Sequence, residues 1–368
     1  MVFDADECKP VIPGDLHRVA ESPRRRHIIV SRSNSPSLVG ASALVPKDYP
    51  ELFLSDKLWQ IKFHAERLTS PEWLAQLLAS PLVRYRLSQL ATGTSNSMKN
   101  ISKDDFLSLT ILIPPLPVQE RIAEAFTLWD RAISSAERLI AAKQKLRKGL
   151  MHQLLTGNRR FPGFSEPWRE VALGEVTTES SRRNNGELDR TTVRAVTNSV
   201  GMIPMREQTI AESLGRYKII EPRAFAYNPM RINVGSLCMW TGDSPALVSP
   251  DYVVFACNEG QLDANYFDYL RQTHRWAHYM TAGGNGSVRI RIYYADLAGL
   301  RFVIPPYPEQ VRIGRFLGNM DRELDLLRAQ LAALKTQKRG LMQQLLTGKV
   351  RVPLPAPTPQ DQAAAVVA

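Results

Sequence analysis

From Ile313 onward, apolar residues fall at Leu317, Met320, Leu324, Leu327, Leu331, Leu334, Leu341 and Leu345. The steps alternate between four and three, with one step of seven that skips Lys338. A stripe of this kind is a heptad seam, and it predicts one long α-helix that buries a narrow face against another helix. The same phase runs earlier through Ile122, Phe126, Trp129, Ile133, Ala136 and Ile140, turns polar at Lys143 and Arg147, and resumes at Leu150 and Leu154. Neither helix can bury its stripe alone, so each is expected to pair with the other. Pro117 and Pro308 sit where a first-turn proline is tolerated. Gly157 and Gly348, each after Leu-Leu-Thr, stand in helix-stop position. The 40 residues from Pro117 to Thr156 correspond to a rod of about 60 Å at about 1.5 Å per residue.

These two helices are copies of one sequence. Residues 113–157 align with 304–348 at a constant offset of 191, without a gap, and 19 of the 45 positions are identical. Gln119/Gln310, Asp130/Asp321 and the closing Gln-Leu-Leu-Thr-Gly are among the identities. The chain is therefore read as an internal tandem. Between the copies the texture changes to short β-branched and aromatic runs, at 191–196, 216–220, 224–227, 237–240 and 252–256. Gly, Asn, Pro and Ser punctuate them. One helix is expected over Asp263–Thr281. The segment before the first copy repeats the later part of this module, with a helix expected over Pro71–Ala91. Nothing there matches Trp-Arg-Glu-Val-Ala-Leu-Gly-Glu-Val (168–176), so the first module reads as shortened at its N-terminal side. The expected division is 1–112, a first α+β module; 113–158, a first helix; 159–303, a second module; 304–350, a second helix; and 351–368, a Pro/Ala-rich disordered tail.

A formal charge of +11 on 368 residues favours a polyanionic partner, nucleic acid before an acidic membrane. Cys8, Cys238 and Cys257 form no C-x-x-C pair, as in a reducing compartment. The N-terminus does not read as a signal peptide, and no stretch approaches about 20 apolar residues. A cytoplasmic protein without a membrane partner is expected.

Motifs for chemistry are weak. Asn228-Pro229-Met230 and Ile304-Pro305-Pro306-Tyr307 each fall short of an amino-methyltransferase Asn/Asp-Pro-Pro-aromatic motif. Residues 283–287 (Gly-Gly-Asn-Gly-Ser) do not make a phosphate loop. The six histidines show no metal-ligand cluster. No catalytic residue and no metal ligand is assigned. The sequence points to binding. Arginine and asparagine read base edges, and lysine and arginine anchor phosphates. The candidates are Arg289 and Arg291 after the glycine-rich turn, Arg231 with Asn228 and Asn233, Asn96 and Lys99, Arg32, and Arg182 with Arg183. Any single one is more often a solvated surface charge.

The motifs I-P-P-x-P-x-Q-x-R-I, G-L-M-x-Q-L-L-T-G, N-P-M-R-I-N-V-G-S and V-S-P-D-Y-V-V-F together resemble the specificity subunits of type I restriction-modification systems. The resemblance covers all but roughly the first 30 and the last 16 residues. It implies an α+β protein in which two target-recognition domains are linked by two long antiparallel coiled-coil helices with pseudo-twofold symmetry. It also implies a non-catalytic reader of double-stranded DNA, each domain taking one half of a bipartite site. Methylation (M) subunits and a restriction (R) subunit would be partners, and S-adenosylmethionine, ATP and Mg would bind on those partners. The alternative is a truncated or recombination-donor protein that serves only as a coiled-coil scaffold.

Overall fold

The computed structural model describes residues 3–63, 68–93, 97–197, 201–232, 235–282 and 291–352. The chain packs into two compact units: residues 1–139 with 327–368, and residues 140–326. Each unit holds one globular module and half of each long helix. Among the described residues, no helix is long and apolar enough to cross a membrane.

In the first unit, β1 (Ile28–Ser31) is the centre of a three-stranded antiparallel sheet, flanked by β2 (Ser42–Leu44) and β3 (Leu58–Ile61). Its buried face packs on α1 (Pro71–Ala79) and α2 (Pro81–Leu90) through Ile28, Val30, Trp73, Leu77 and Leu87. The core continues into α3, the first long helix (Leu116–Leu155), through Ile122 and Phe126. Gly40 takes a left-handed φ of +72°, and a Cβ there would crowd the Leu87 Cβ at 3.0 Å.

The second unit is larger. Here β4 (Arg169–Ala172) and β5 (Thr177–Ser180) precede β6 (Lys218–Ile220), β7 (Phe225–Tyr227), β8 (Leu237–Met239), β9 (Ala246–Val248) and β10 (Val253–Cys257). Then come α4 (Ala264–Leu270), α5 (His274–Ala282), β11 (Arg301–Ile304) and α6, the second long helix (Tyr307–Leu346). The main sheet runs β8-β7-β10-β5, and β4 pairs separately with β11. Strands β8, β7 and β10 repeat the β2-β1-β3 arrangement of the first unit, and β5 is an added edge. Phe225, Phe255 and Phe267 form an aromatic cluster, with Phe225 and Phe255 stacked at 5.4 Å and Phe267 edge-on to both.

Each long helix is 40 residues, and both end at a left-handed glycine, Gly157 (φ +75°) and Gly348 (φ +72°). Residues on the stripe are turned inward: Ile122, Phe126, Ile140, Ile313, Leu317 and Leu324 are buried, and Trp129, Ile133, Met320, Leu327, Leu331 and Leu334 are half-buried. Leucines off the stripe face solvent, Leu128 at 64% and Leu326 at 72% exposure. Within the first unit, Asp130 and Glu137 of α3 pair with Lys338 and Lys335 of α6. Within the second, Lys143 and Arg147 pair with Glu323 and Asp321. In both, rising numbers on one helix meet falling numbers on the other, so the halves run antiparallel.

Two expected helices are broken. Pro71–Ala91 divides at Ser80, whose hydroxyl caps the Val83 N–H, and Pro81 opens a second helix with the fixed φ that suits a first turn. Asp263–Thr281 divides at Arg271–Thr273, where the Thr273 hydroxyl accepts from the Trp276 N–H. Strands β4, β5, β9 and β11 were not among the expected runs, and the tail from 353 lies outside the described residues.

Candidate nucleic-acid interface

The repeated glutamine joins each module to its helix. Gln119 is fully buried. It accepts from the Ser70 N–H at 2.8 Å and donates to the carbonyls of Leu68 (3.0 Å) and Pro114 (2.8 Å). Gln310, 1% exposed, accepts from the Asp263 N–H at 2.9 Å and donates to Gln261 (3.1 Å) and Pro305 (2.9 Å). Ser70 and Asp263 are themselves the N-caps of α1 and α4. A second repeated element is the aspartate. Asp130 takes Lys338 at 2.6 Å and Gln76 at 3.1 Å; Asp321 takes Arg147 and, at 2.7 Å, the Tyr269 hydroxyl. The hydrogen bond to Asp321 raises the Arg147 pKa against the opposing effect of burial.

On this frame each unit brings two candidate segments together. In the second unit β7 runs into the Asn228–Arg231 turn. The Asn228 side chain accepts from the Met230 N–H at 3.0 Å, and the Ile292 N–H donates to the Pro229 carbonyl at 3.1 Å. Arg291 therefore lies beside the turn that presents Arg231, and both side chains are exposed. In the first unit β1 runs into Arg32, and the Ile101 N–H donates to the Arg32 carbonyl at 2.9 Å. Residues 33–34 pair with Lys99–Asn100, with Lys99 opposite Asn34, two residues along the strand from Arg32. Arg32 stacks its guanidinium over Trp59 at 5.9 Å, and its buried Nε has no hydrogen-bond partner. Lys99 reaches the Gly93 carbonyl at 2.6 Å.

Arg182 and Arg183 stand apart from this pairing. Arg182 bonds Glu187 and Glu221 at once, and Arg183 donates to the Arg216 carbonyl. Asn96, Asn233 and Arg289 lie outside the described residues. The duplicated juxtaposition was not legible from spacing, because its two segments are some 60 residues apart in each unit. Among the described residues no group of acidic, histidine and cysteine side chains is arranged to hold a metal ion. Burial pushes the Cys257 thiol up to about 12 and raises that of Cys238, so neither is a thiolate nucleophile at neutral pH.

Known proteins resemble this chain in sequence and in fold. Residues 23–143 match the model of the type I restriction modification DNA specificity domain. A protein of Methanocaldococcus jannaschii provisionally named the type I restriction enzyme MjaX specificity subunit is 22% identical, over 88% of this chain and 78% of its own length. The MjaVIII specificity subunit of the same organism is 24% identical, over 69% of this chain and 65% of its own. Among solved structures, the type I restriction-modification S subunit from M. genitalium superposes with a TM-score of 0.56 at 15% identity, covering 88% of this chain and 83% of that one. The HsdS subunit from Thermoanaerobacter tengcongensis gives 0.50 at 22%, over 90% and 83%. Residues 23–143 are thus similar to a type I restriction modification DNA specificity domain, and most of the chain is similar to type I restriction-modification specificity subunits.

Proposed function

We propose that each unit reads one half of a bipartite site in double-stranded DNA, and that the chain contributes recognition without catalysis. The observation that carries this is the duplicated juxtaposition of basic segments, that of Arg32 with that of Lys99 and that of Arg231 with that of Arg291, each after the central strand of a matching sheet. Arg231, Arg291 and Arg289 are the candidate base readers, and Asn228, Asn233 and Asn96 are further candidates by residue type. Arg32, Lys99, Arg182 and Arg183 are the candidate phosphate contacts. The long helices would set the unread spacer and dock methylation subunits, with a restriction subunit joining them. S-adenosylmethionine, ATP and Mg belong to those partners in this reading. The modules correspond to 1–112 and 159–303, and the helices to 113–158 and 304–350.

The test is a salt-titrated DNA-binding assay on the chain with its methylation partner, alongside sequencing of methylated sites in cells with and without this gene. A split motif that depends on the gene, and a steep fall of affinity with salt, are expected. Arg231→Ala should weaken specific binding by about 1–3 kcal/mol and relax preference at one base pair. A flat salt response with no gene-dependent motif would instead mark a coiled-coil scaffold or a recombination donor.

A further inference from the structure

In the second unit, Arg312, Arg315, Asn319 and Arg322 follow one another along α6 at steps of three, four and three, so they share one face of the helix, and all four are exposed. The positive charge on this face is uncompensated. Glu309, Asp321 and Glu323 stand on the same stretch of helix, but each is already taken, by Arg160, Arg147 and Lys143. Among the described residues Arg315 makes no hydrogen bond or ion pair. Arg312 lies over the Phe161 ring at 5.4 Å, and Arg322 donates to the Asn319 side-chain oxygen.

Arg312, Arg315, Phe316 and Asn319 line a notch of about 200 Å³. Phe161 packs edge-on against Phe316 at 5.4 Å, so the ring under Arg312 is itself held in place. A guanidinium stacked by its face keeps its in-plane N–H groups free for an oxygen. Arginine can only donate, so Arg322 meets the oxygen of the Asn319 amide and leaves the NH2 of that amide as a donor. The open side-chain groups of the notch are therefore donors alone: two guanidinium forks and one amide NH2. A ligand that fits must bring acceptors and negative charge.

The long-helix frame does not require this face. At the offset of 191 residues the first unit has Arg121, Glu124, Ala125 and Leu128 at the four notch positions, and Val352 in place of Phe161. A basic face needed for helix pairing would recur in both copies, whereas this one is confined to the second.

We propose that this stripe is a phosphate-binding surface for the backbone of double-stranded DNA. The inference rests on the reading of the chain as a DNA-binding protein and adds a contact on the long helix, outside the recognition modules. Two oxygens of one phosphate would meet the Arg312 and Arg315 forks, with the Asn319 NH2 beside them. Arg322 lies ten residues beyond Arg312, about 15 Å along the helix, and would meet another phosphate of the same duplex. A duplex carries one phosphate per about 1.7 Å of its axis, a regular charge that suits arginines spaced along a rod. Such contacts carry no base information. They strengthen binding to any sequence and anchor the second unit more firmly than the first.

The test measures binding of the full chain to two duplexes of unrelated sequence across a range of salt. Arg315→Gln should reduce the slope of log affinity against log salt by about one, and Arg312→Gln with Arg315→Gln by about two, equally on both duplexes. Arg315→Glu, which copies Glu124 of the first unit, should weaken binding further than Arg315→Gln. Arg138→Gln makes the same change of net charge at an exposed position of α3 and should leave the slope at the parent value. All these positions are exposed, so circular dichroism should show the parent melting temperature. Slopes equal to the parent in the Arg312 and Arg315 variants overturn the stripe alone and leave the DNA reading intact. An equal loss from Arg138→Gln overturns it too, because the effect would then be one of net charge. A parent chain that binds neither duplex defeats the DNA reading and the stripe together.

Discussion

The two units share a frame and differ in how completely they are finished. Both have the three-strand arrangement β2-β1-β3 or β8-β7-β10, a buried glutamine at the helix entry, and an aspartate binding a cation on the antiparallel helix. Both even place an arginine at positive φ just before the central strand, Arg26 (φ +63°) and Arg223 (φ +66°), and ion-pair it to an acidic residue at the start of the first module helix, Glu72 and Asp263. The second unit adds β4, β5, β6 and β9, with a further ion pair between Arg160 and the buried Glu309 at 2.7 and 3.0 Å. In the first unit those positions are Arg351 and Val118. What is held constant is the joint between module and helix. What differs is the set of strands added around the shared three-stranded arrangement.

Substitutions at equivalent positions can break or sharpen this comparison, read as unit-resolved amide exchange so that one unit's opening does not mask the other's. The largest effect is expected at the stripe. Phe126→Ala and its counterpart Leu317→Ala, both fully buried, should each cost about 3–5 kcal/mol, confined to their own unit. Next is the clasp. Gln119→Ala or Gln310→Ala strands one N–H and two carbonyls, and should cost about 2–4 kcal/mol in either unit. Unequal losses would mean that the two clasps are not equivalent. The aspartates should separate the units. Asp321→Ala removes a partly buried bond to Arg147 and one to Tyr269, about 1–2 kcal/mol. Asp130→Ala removes a more exposed pair and should cost about 0.5 kcal/mol. Smallest are Leu128→Gln and Leu326→Gln, on exposed faces, within about 0.5 kcal/mol of the parent. A larger effect there would reveal a surface that is covered in the working assembly.

Much of the frame was legible because it is periodic. The alternation of fours and threes located both long helices and their inward faces, and Leu-Leu-Thr-Gly located their ends to within a residue. The break at Ser80-Pro81 carried a local signal, a capping serine before a first-turn proline, that the apolar run on either side concealed. The break at Arg271–Thr273 carries no proline or glycine, so only the Thr273 cap reveals it. Identity of Gln119 and Gln310 was visible, but their role was not, since their partners lie some 50 residues upstream on the main chain. The candidate contacts were legible as residue types only. What brings Arg231 to Arg291, and Arg32 to Lys99, is a backbone hydrogen bond or strand pairing between distant loops.

The glutamine clasp has a consequence for exchange of parts. Its amide touches only main-chain atoms: on each side one N–H and one carbonyl of the module, and one carbonyl of the segment that leads into its own helix. A joint built this way is indifferent to the side chains of what it holds. An unrelated module could be grafted onto the same stalk provided its backbone reproduces one helix entry and the turn before it. Diversity in one part and constancy in the other then need no compensating change at the seam.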